Sequence, residues 1–283
     1  MNKKTESYIC LLTVAILFGL SYVFQTEAAK YVGPFTFGFF RYLLATLCMI
    51  PFLFKKDNIS HSEYLKGGFI LALCFLAASG AQQSAAGKTE SGKLGFITSM
   101  YIVLVPLAEY FIYRKKMNKA VIFSVVLSVI GLGLLCGITS LEFNVYDFVV
   151  LIAAIAYALE IIYIDRKAEA FDQNKLMFYA FVISALLFFI CGLIFEGLKV
   201  SNYEKIIIPV GYLGIVAGAI GYCLQVVGQK NTEGTVASVL MSLESVVSVL
   251  AGIIILNESF TLIQLLGCLL MFTAATLSTL KGN

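Results

Sequence analysis

The sequence predicts an all-α membrane protein whose ten transmembrane helices form two inverted five-helix repeats. Two observations predict this fold: long apolar runs that are almost free of charge, and an odd number of such runs in each half. A helix needs about 20 apolar residues to cross the bilayer core, and runs without period-two alternation exclude a barrel. With 60% hydrophobic and 13% charged residues, the composition also excludes a soluble protein with buried helices.

The apolar runs define a first repeat at 7–141 and a second repeat at 145–280. In chain order, the first five helices are predicted within 7–26, 31–54, 67–87, 94–113 and 120–141. The second five are predicted within 148–164, 176–195, 206–229, 234–257 and 259–280. Because five is an odd number, the second repeat must enter the membrane in the opposite orientation to the first.

The distribution of Lys and Arg predicts that both termini are cytoplasmic. With that orientation, fourteen Lys and Arg residues lie in the inner loops and tails. Five lie in the outer loops, namely Lys30, Lys88, Lys93, Lys199 and Lys205. This is the positive-inside bias of a multi-pass protein, and we expect a bacterial-type cytoplasmic (inner) membrane.

Sparse identities relate the two halves. One constant shift places Gln83 on Gln225 and Gly92 on Gly234, and a looser match with a slightly smaller shift places Phe18 on Tyr157. Inverted repeats of this kind hold the substrate site near the midplane, between the halves. They predict alternating access by movement of one bundle against another.

Several function classes are excluded by residues that the chain lacks or scatters. The seven cysteines fall singly in apolar segments and the one histidine, His61, lies in a loop, so we expect neither a metal site nor disulfides. No hydrolase triad or Walker motif can be assembled. We therefore expect neither an enzyme nor an ATP-driven pump, with no cofactor and no nucleic-acid partner.

Three ordered blocks resemble a known family. They are Phe37–Ala45, the stretch from Gly92 to Pro106, and the stretch from Ser242 to Asn257-Glu258. In these blocks the chain is similar to EamA-type members of the drug/metabolite transporter (DMT) superfamily. The resemblance implies a secondary transporter of small polar organic metabolites, an exporter of amino-acid-like compounds. A carrier for uptake or salvage and a flippase for lipid-linked sugars remain as alternatives.

The resemblance implies three kinds of partner: a small-molecule substrate, the lipid bilayer and, as candidates, protons. A second copy of the chain is a further candidate partner, as a homodimer.

Four charged residues lie within predicted spans. A charge at a helix centre costs about 2.5–3.5 kcal/mol on insertion scales, so each should face a cavity or a partner. Glu244 and Arg41 lie near the middle of their spans, whereas Glu109 and Glu160 lie near cytoplasmic ends, where a structural role is favoured. Glu244 is predicted to exchange a proton, to bind a substrate ammonium, or to neutralise Arg41 across the cavity.

Other residues are candidates by type and spacing. Ser242 and Ser248 lie on the same helical arc as Glu244 and either line the cavity or allow close packing. Further candidates for the cavity are Gln83, Gln225, Tyr22, Tyr101 and Tyr157. Pro106 either hinges a gate or bends its helix. The stripe that contains Gly214, Gly218 and Gly221 is predicted to let another helix approach closely.

Overall fold

The computed structural model describes residues 3–54, 58–88, 91–114, 117–135, 144–167, 170–256 and 261–281. In these ranges the chain is helical, and its β-structure amounts to one isolated bridge between Val32 and Val200. Nine helical spans in the described part are long and apolar enough to cross a membrane, and a shorter apolar helix, Lys119–Leu135, is the tenth. The predicted all-α membrane fold is confirmed. Residues 136–141 of the fifth predicted helix and the Asn257-Glu258 pair lie outside the described ranges.

The described helices follow the predicted order in both repeats. The first repeat contains α1 (Lys3–Ala28), α2 (Pro34–Leu53), α3 (His61–Ala85), α4 (Ser91–Thr98), α5 (Tyr101–Tyr113) and α6 (Lys119–Leu135). The second begins with α7 (Val145–Lys167), α8 (Gln173–Phe195) and α9 (Tyr203–Gly211), and α9 runs into a π-helical segment (Tyr212–Gly221). It ends with α10 (Tyr222–Gln229), α11 (Gly234–Met241), α12 (Glu244–Leu256) and α13 (Leu262–Lys281).

The fourth span of each repeat is broken at an equivalent point. The chain turns at Ser99 and Met100 between α4 and α5, and at Ser242 and Leu243 between α11 and α12. The amide of Met100 donates to the Ile97 carbonyl at 3.1 Å, and that of Leu243 to the Leu240 carbonyl at 3.3 Å. These i→i−3 bonds tighten both helices at matching positions. The structure therefore pairs Met100 with Leu243, and the register predicted from the sequence is wrong by one residue.

Pro106 does not cause the break in the first repeat. It lies inside α5, six residues after the turn, and Val249 occupies the equivalent position in the second repeat, which breaks in the same way. A proline removes a hydrogen bond to the carbonyl four residues earlier, which here is Ile102. The two breaks thus belong to the shared architecture of the repeats and do not depend on proline.

The glycine stripe of the eighth span lies in the π-helical segment and packs closely against the first repeat. A Cβ atom on Gly214 would lie 2.8 Å from Leu44 Cβ and 3.0 Å from the Arg41 carbonyl oxygen of α2. One on Gly221 would lie 2.8 Å from the Phe18 ring of α1. Gly218 approaches Ala45 of α2 in the same way, at 3.2 Å. The stripe therefore has the close-packing geometry predicted for it.

The two largest of the four hydrophobic clusters among the described residues are each drawn from both repeats. The first joins residues such as Leu11, Tyr101 and Leu240, and the second joins Tyr42, Phe75, Phe181 and Tyr222. Phe18 packs against both clusters. The region between the two clusters is where the candidate site lies.

Replacing Gly19 with alanine is expected to destabilise the protein by about 1–3 kcal/mol, because the helices have no room for a methyl group. Its Cβ would lie 2.5 Å from the Glu244 carbonyl oxygen and 2.6 Å from Val247 Cβ, so α1 and α12 would have to separate. Gly95→Ala is the matched control, since a Cβ there meets nothing within 4 Å. Thermal unfolding in detergent should show a lower midpoint for Gly19→Ala alone; equal midpoints would contradict the packing described.

Candidate functional site

A central cavity lies between the two hydrophobic clusters and is lined by both repeats. The volume within it that the centre of a water molecule can occupy is about 50 Å³. By the same measure, a cavity needs about 10–15 Å³ to hold one water. Six residues that were predicted to line the cavity do so: Arg41, Glu244, Tyr22, Tyr101, Tyr157 and Gln225. They come from separate spans, so the fold assembles them from distant parts of the chain.

The lining follows the internal repeat. Three lining pairs from the first spans of the two halves share one spacing along the chain: Phe18 and Tyr157, Ser21 and Glu160, and Tyr22 and Ile161. Three pairs from the third and fourth spans share a second, slightly longer spacing: Gln82 and Gln225, Thr98 and Met241, and Tyr101 and Glu244. Equivalent positions thus meet around one centre, which lies between the repeats as in inverted-repeat carriers.

Glu244 is held by phenol groups. Its carboxyl oxygen Oε1 accepts a hydrogen bond from the Tyr101 hydroxyl at 3.0 Å and a longer one from the Tyr22 hydroxyl at 3.5 Å. Glu244 is 5% exposed and is the first residue of α12, where the helix dipole favours an acidic group. The carboxyl therefore lies in an aromatic setting at a broken helix, which suits the binding of a cation.

Gln82 connects this carboxyl group to the opposite wall. Its amide nitrogen lies 3.4 Å from the Tyr22 hydroxyl and 3.4 Å from the Thr98 hydroxyl. The Tyr157 hydroxyl donates to the Gln82 carbonyl oxygen at 3.2 Å. Gln82 was not a predicted site residue, although its neighbour Gln83 was.

Glu160 also lines the cavity, contrary to the structural role favoured for it at a cytoplasmic end. It is 1% exposed, and both of its oxygens lie close to the Gln225 amide nitrogen, at 3.0 and 3.1 Å. The same nitrogen lies 3.1 Å from the Gln229 carbonyl oxygen, and the Gln229 amide donates to the Ile161 backbone carbonyl at 2.9 Å. Its place in the lining was not expected, because its depth was counted from residue 164, whereas α7 continues to Lys167.

Arg41 carries the positive charge of the lining and is 6% exposed. Its Nη2 lies 3.4 Å from the Tyr42 hydroxyl, its guanidinium carbon lies 4.7 Å from the Tyr42 ring centre, and its Nε has no hydrogen-bond partner. Among the described residues, no ion pair within 4 Å joins Arg41 to Glu244 or Glu160. The predicted neutralisation of Arg41 by Glu244 is therefore not a direct contact in this conformation.

Three predicted lining residues lie elsewhere. Gln83 is one residue along α3 from Gln82, a rotation of about 100°, so it points away from the cavity. Its side-chain amide donates to the Gln25 backbone carbonyl at 3.0 Å. The Ser242 hydroxyl donates to its own helix, to the Val239 carbonyl at 2.8 Å. Ser248 lies one turn beyond Glu244 and is absent from the lining. The structure does not place these three residues in the cavity lining, which for the two serines leaves the alternative of close packing.

Gln83 instead lines a second pocket, at the face predicted to be outer, together with Lys30, Lys88 and Lys199. Gln25 lies on the other side of the Gln83 contact and lines the central cavity. The hydrogen bond between them thus joins a residue of one pocket to a residue of the other. At the same face Glu196 joins the halves, since it accepts from the Phe35 and Thr36 amides at 2.9 and 2.7 Å.

The remaining predicted residues lie outside the lining. The Glu109 carboxyl accepts a hydrogen bond from the Thr235 hydroxyl at 2.6 Å, between α5 and α11. Pro106 is buried within α5. In the part of the chain that the structure describes, no group of three or more His, Cys, Asp or Glu could hold a metal ion.

Comparison with known proteins identifies relatives along the whole chain. The model of the EamA-like transporter family matches residues 5–137 and again 144–280. A protein of Archaeoglobus fulgidus named as an uncharacterized transporter is 26% identical over 283 residues, covering 99% of this chain and 87% of the relative. A Clostridium kluyveri protein with the same designation is 23% identical and covers 93% of this chain and 89% of its own.

A solved crystal structure shows the same fold. It superposes with a TM-score of 0.77 at 16% sequence identity, covering 97% of this chain and 96% of the other.

Proposed function

Because this chain belongs to the EamA-like transporter family, within the DMT superfamily, we propose that it is a secondary transporter that exports small amino-acid-like compounds. The protein is a multi-pass membrane transporter. To this we add a substrate class, a direction and a mechanism, which is alternating access. We also place the protein in the cytoplasmic membrane with both termini cytoplasmic. Export rests on the family resemblance, and the substrate class rests on the cavity.

The observation that carries the substrate class is the buried Arg41 guanidinium, whose Nε has no hydrogen-bond partner. Buried charges in proteins are normally paired, because an unpaired charge away from water is costly. Arg41 is buried with its Nε unpartnered and, among the described residues, without an ion pair to either lining carboxyl. A substrate carboxylate would supply the missing partner, since a guanidinium matches a carboxylate in two parallel hydrogen bonds.

The opposite end of such a substrate has a matching group. An ammonium could approach Glu244 between the rings of Tyr22 and Tyr101, where it gains both a carboxylate and aromatic faces. The cavity then offers one cationic and one anionic group to a zwitterion. The small open volume fits a compact molecule better than a lipid-linked sugar.

The breaks in both fourth spans support alternating access. Tyr101 and Glu244 are the first residues after the two breaks, and they bond to each other across the cavity. A change at this contact would alter both halves together. Discontinuous helices at the midplane are the usual position of the substrate site in inverted-repeat carriers.

Counterflow in proteoliposomes tests the substrate class. Vesicles that hold the purified protein are loaded with one unlabelled L-amino acid at a time and given the same labelled compound outside. At least one amino acid should exchange faster than in vesicles with the Arg41→Ala, Glu244→Ala double variant. Wild-type vesicles that exchange none of the twenty amino acids, yet exchange other metabolites, would overturn the proposed substrate class.

A further inference from the structure

Glu160 is the lining carboxyl that the proposed substrate contacts do not use. It belongs to α7, whereas the zwitterion would lie between Arg41 of α2 and Glu244 of α12. Its repeat mate is the neutral Ser21, so the shared architecture does not require a charge at this position. A buried carboxyl without a structural reason for its charge marks a functional position.

The hydrogen-bond inventory around Glu160 does not balance for a carboxylate. One amide nitrogen, that of Gln225, faces three acceptor oxygens: both oxygens of Glu160 and the Gln229 carbonyl oxygen. A side-chain amide has two hydrogens. Gln229 cannot supply the missing donor, because its own amide is bonded to the Ile161 backbone carbonyl. An ionised Glu160 therefore leaves one oxygen of a buried group short of a donor.

One proton removes this shortage. Protonation turns a Glu160 oxygen into an O–H donor and leaves two acceptors for the two Gln225 hydrogens. The O–H group also adds a donor at an amide whose own carbonyl oxygen, that of Gln225, is buried and has no partner. No cation performs the same task, since no ion pair within 4 Å reaches Glu160 among the described residues. The inventory matches the neutral acid.

The groups around Glu160 include one cation, Arg41 of α2, and one further carboxyl, Glu244 of α12, which line the same cavity without an ion pair within 4 Å to Glu160 among the described residues. Cys74 of α3, Tyr42 of α2 and Tyr222 of α10 interact with it electrostatically, and thiols and phenols are ordinarily neutral at pH 7. In α5, which also packs on α7, Glu109 is bonded to Thr235. The sequence of α11 contains no titratable residue, and neither does the part of α4 at residues 94–98.

We propose that Glu160 is a proton-binding site, protonated in this conformation, and that the side chains of Gln225 and Gln229 form its hydrogen-bonding environment. Loss of the proton leaves a carboxylate that must share the Gln225 amide donor with the Gln229 carbonyl oxygen. That loss favours another arrangement of α7 against α10, through which the proton is coupled to transport. This coupling role rests on the proposed transporter function, whereas proton binding at Glu160 does not.

Infrared difference spectra of the purified protein, taken between about pH 5 and about pH 8, test the proton site without any substrate. The wild type should show a carboxylic acid C=O band that is missing in Glu160→Gln and kept in the matched control Glu109→Gln. Gln225→Met should keep the band, since a neutral acid tolerates loss of that donor, and should unfold near the wild-type temperature at the acidic pH. A Glu160→Gln spectrum equal to the wild type, or a Gln225→Met protein that loses the band, would overturn the proposal.

A flux experiment tests the coupling. Glu160→Gln should lose accumulation driven by a pH gradient while amino-acid counterflow remains measurable, and the control Glu109→Gln should keep both, because that carboxyl lies outside the cavity. Equal gradient-driven accumulation in the variant and the wild type would refute the coupling role. If wild-type vesicles exchange no amino acid, the proposed substrate class fails, while the infrared result still decides the proton site.

Discussion

Replacement of Arg41 by alanine is expected to raise the substrate concentration for half-maximal flux by roughly 30-fold or more, with no loss of stability. Truncating one partner of a buried charge pair costs about 2–5 kcal/mol in binding. In the free protein Arg41 has no anion partner within 4 Å among the described residues, so its removal breaks no ion pair and should leave the unfolding temperature unchanged or higher.

The controls separate binding from structure. Lys30→Ala removes a cation from the outer pocket, where Lys30 pairs with Glu27, and should leave the half-maximal concentration within about twofold. Labelled amino-acid counterflow and thermal unfolding are measured on the same preparations. An Arg41→Ala protein that unfolds earlier, and that Glu244→Ala partly restores, would show instead that Arg41 is a structural counter-charge.

Glu244→Gln is expected to weaken substrate binding by roughly 10- to 100-fold while the protein remains folded. A hydrogen bond to a charged group contributes about 1.5–3 kcal/mol, and glutamine keeps the shape and an oxygen acceptor for Tyr101. Flux is measured across about pH 5 to pH 8. Glu109→Gln is the matched control, because that carboxyl is also buried in a span but bonds Thr235 outside the cavity. Normal transport by Glu244→Gln at every pH would contradict the role of this carboxyl in binding an ammonium or a proton.

Much of the fold could be predicted because its causes are local. Span length and charge placement follow directly from the cost of polar groups in lipid, so the helix order is confirmed. The breaks at Ser99-Met100 and Ser242-Leu243 could not be predicted, since neither pair contains proline or glycine. Beside them the Ser99 and Ser245 hydroxyls are hydrogen-bonded at 2.7 Å, a contact between the repeats that a sequence does not reveal.

The kinds of residue in the candidate site could be predicted better than their exact positions along the helices. Arg41 and Glu244 could be identified because a charge deep in a span is rare and must face a polar space. Gln82 was missed because adjacent glutamines differ by about 100° around a helix, and a repeat register wrong by one residue selected Gln83. Glu160 was misjudged because depth was counted from a span end that lies further along the chain.

The central claim is that Arg41 and Glu244 bind opposite ends of one zwitterion. A comparison of ligand preference between two variants tests it. Inhibition of counterflow is measured with a transported amino acid, its decarboxylated amine and its deaminated acid, on the wild type and on Arg41→Ala and Glu244→Gln. We expect that Arg41→Ala no longer prefers the amino acid over the amine, while Glu244→Gln no longer prefers it over the acid. If both variants keep the wild-type preferences, the two residues do not bind the substrate's charged ends.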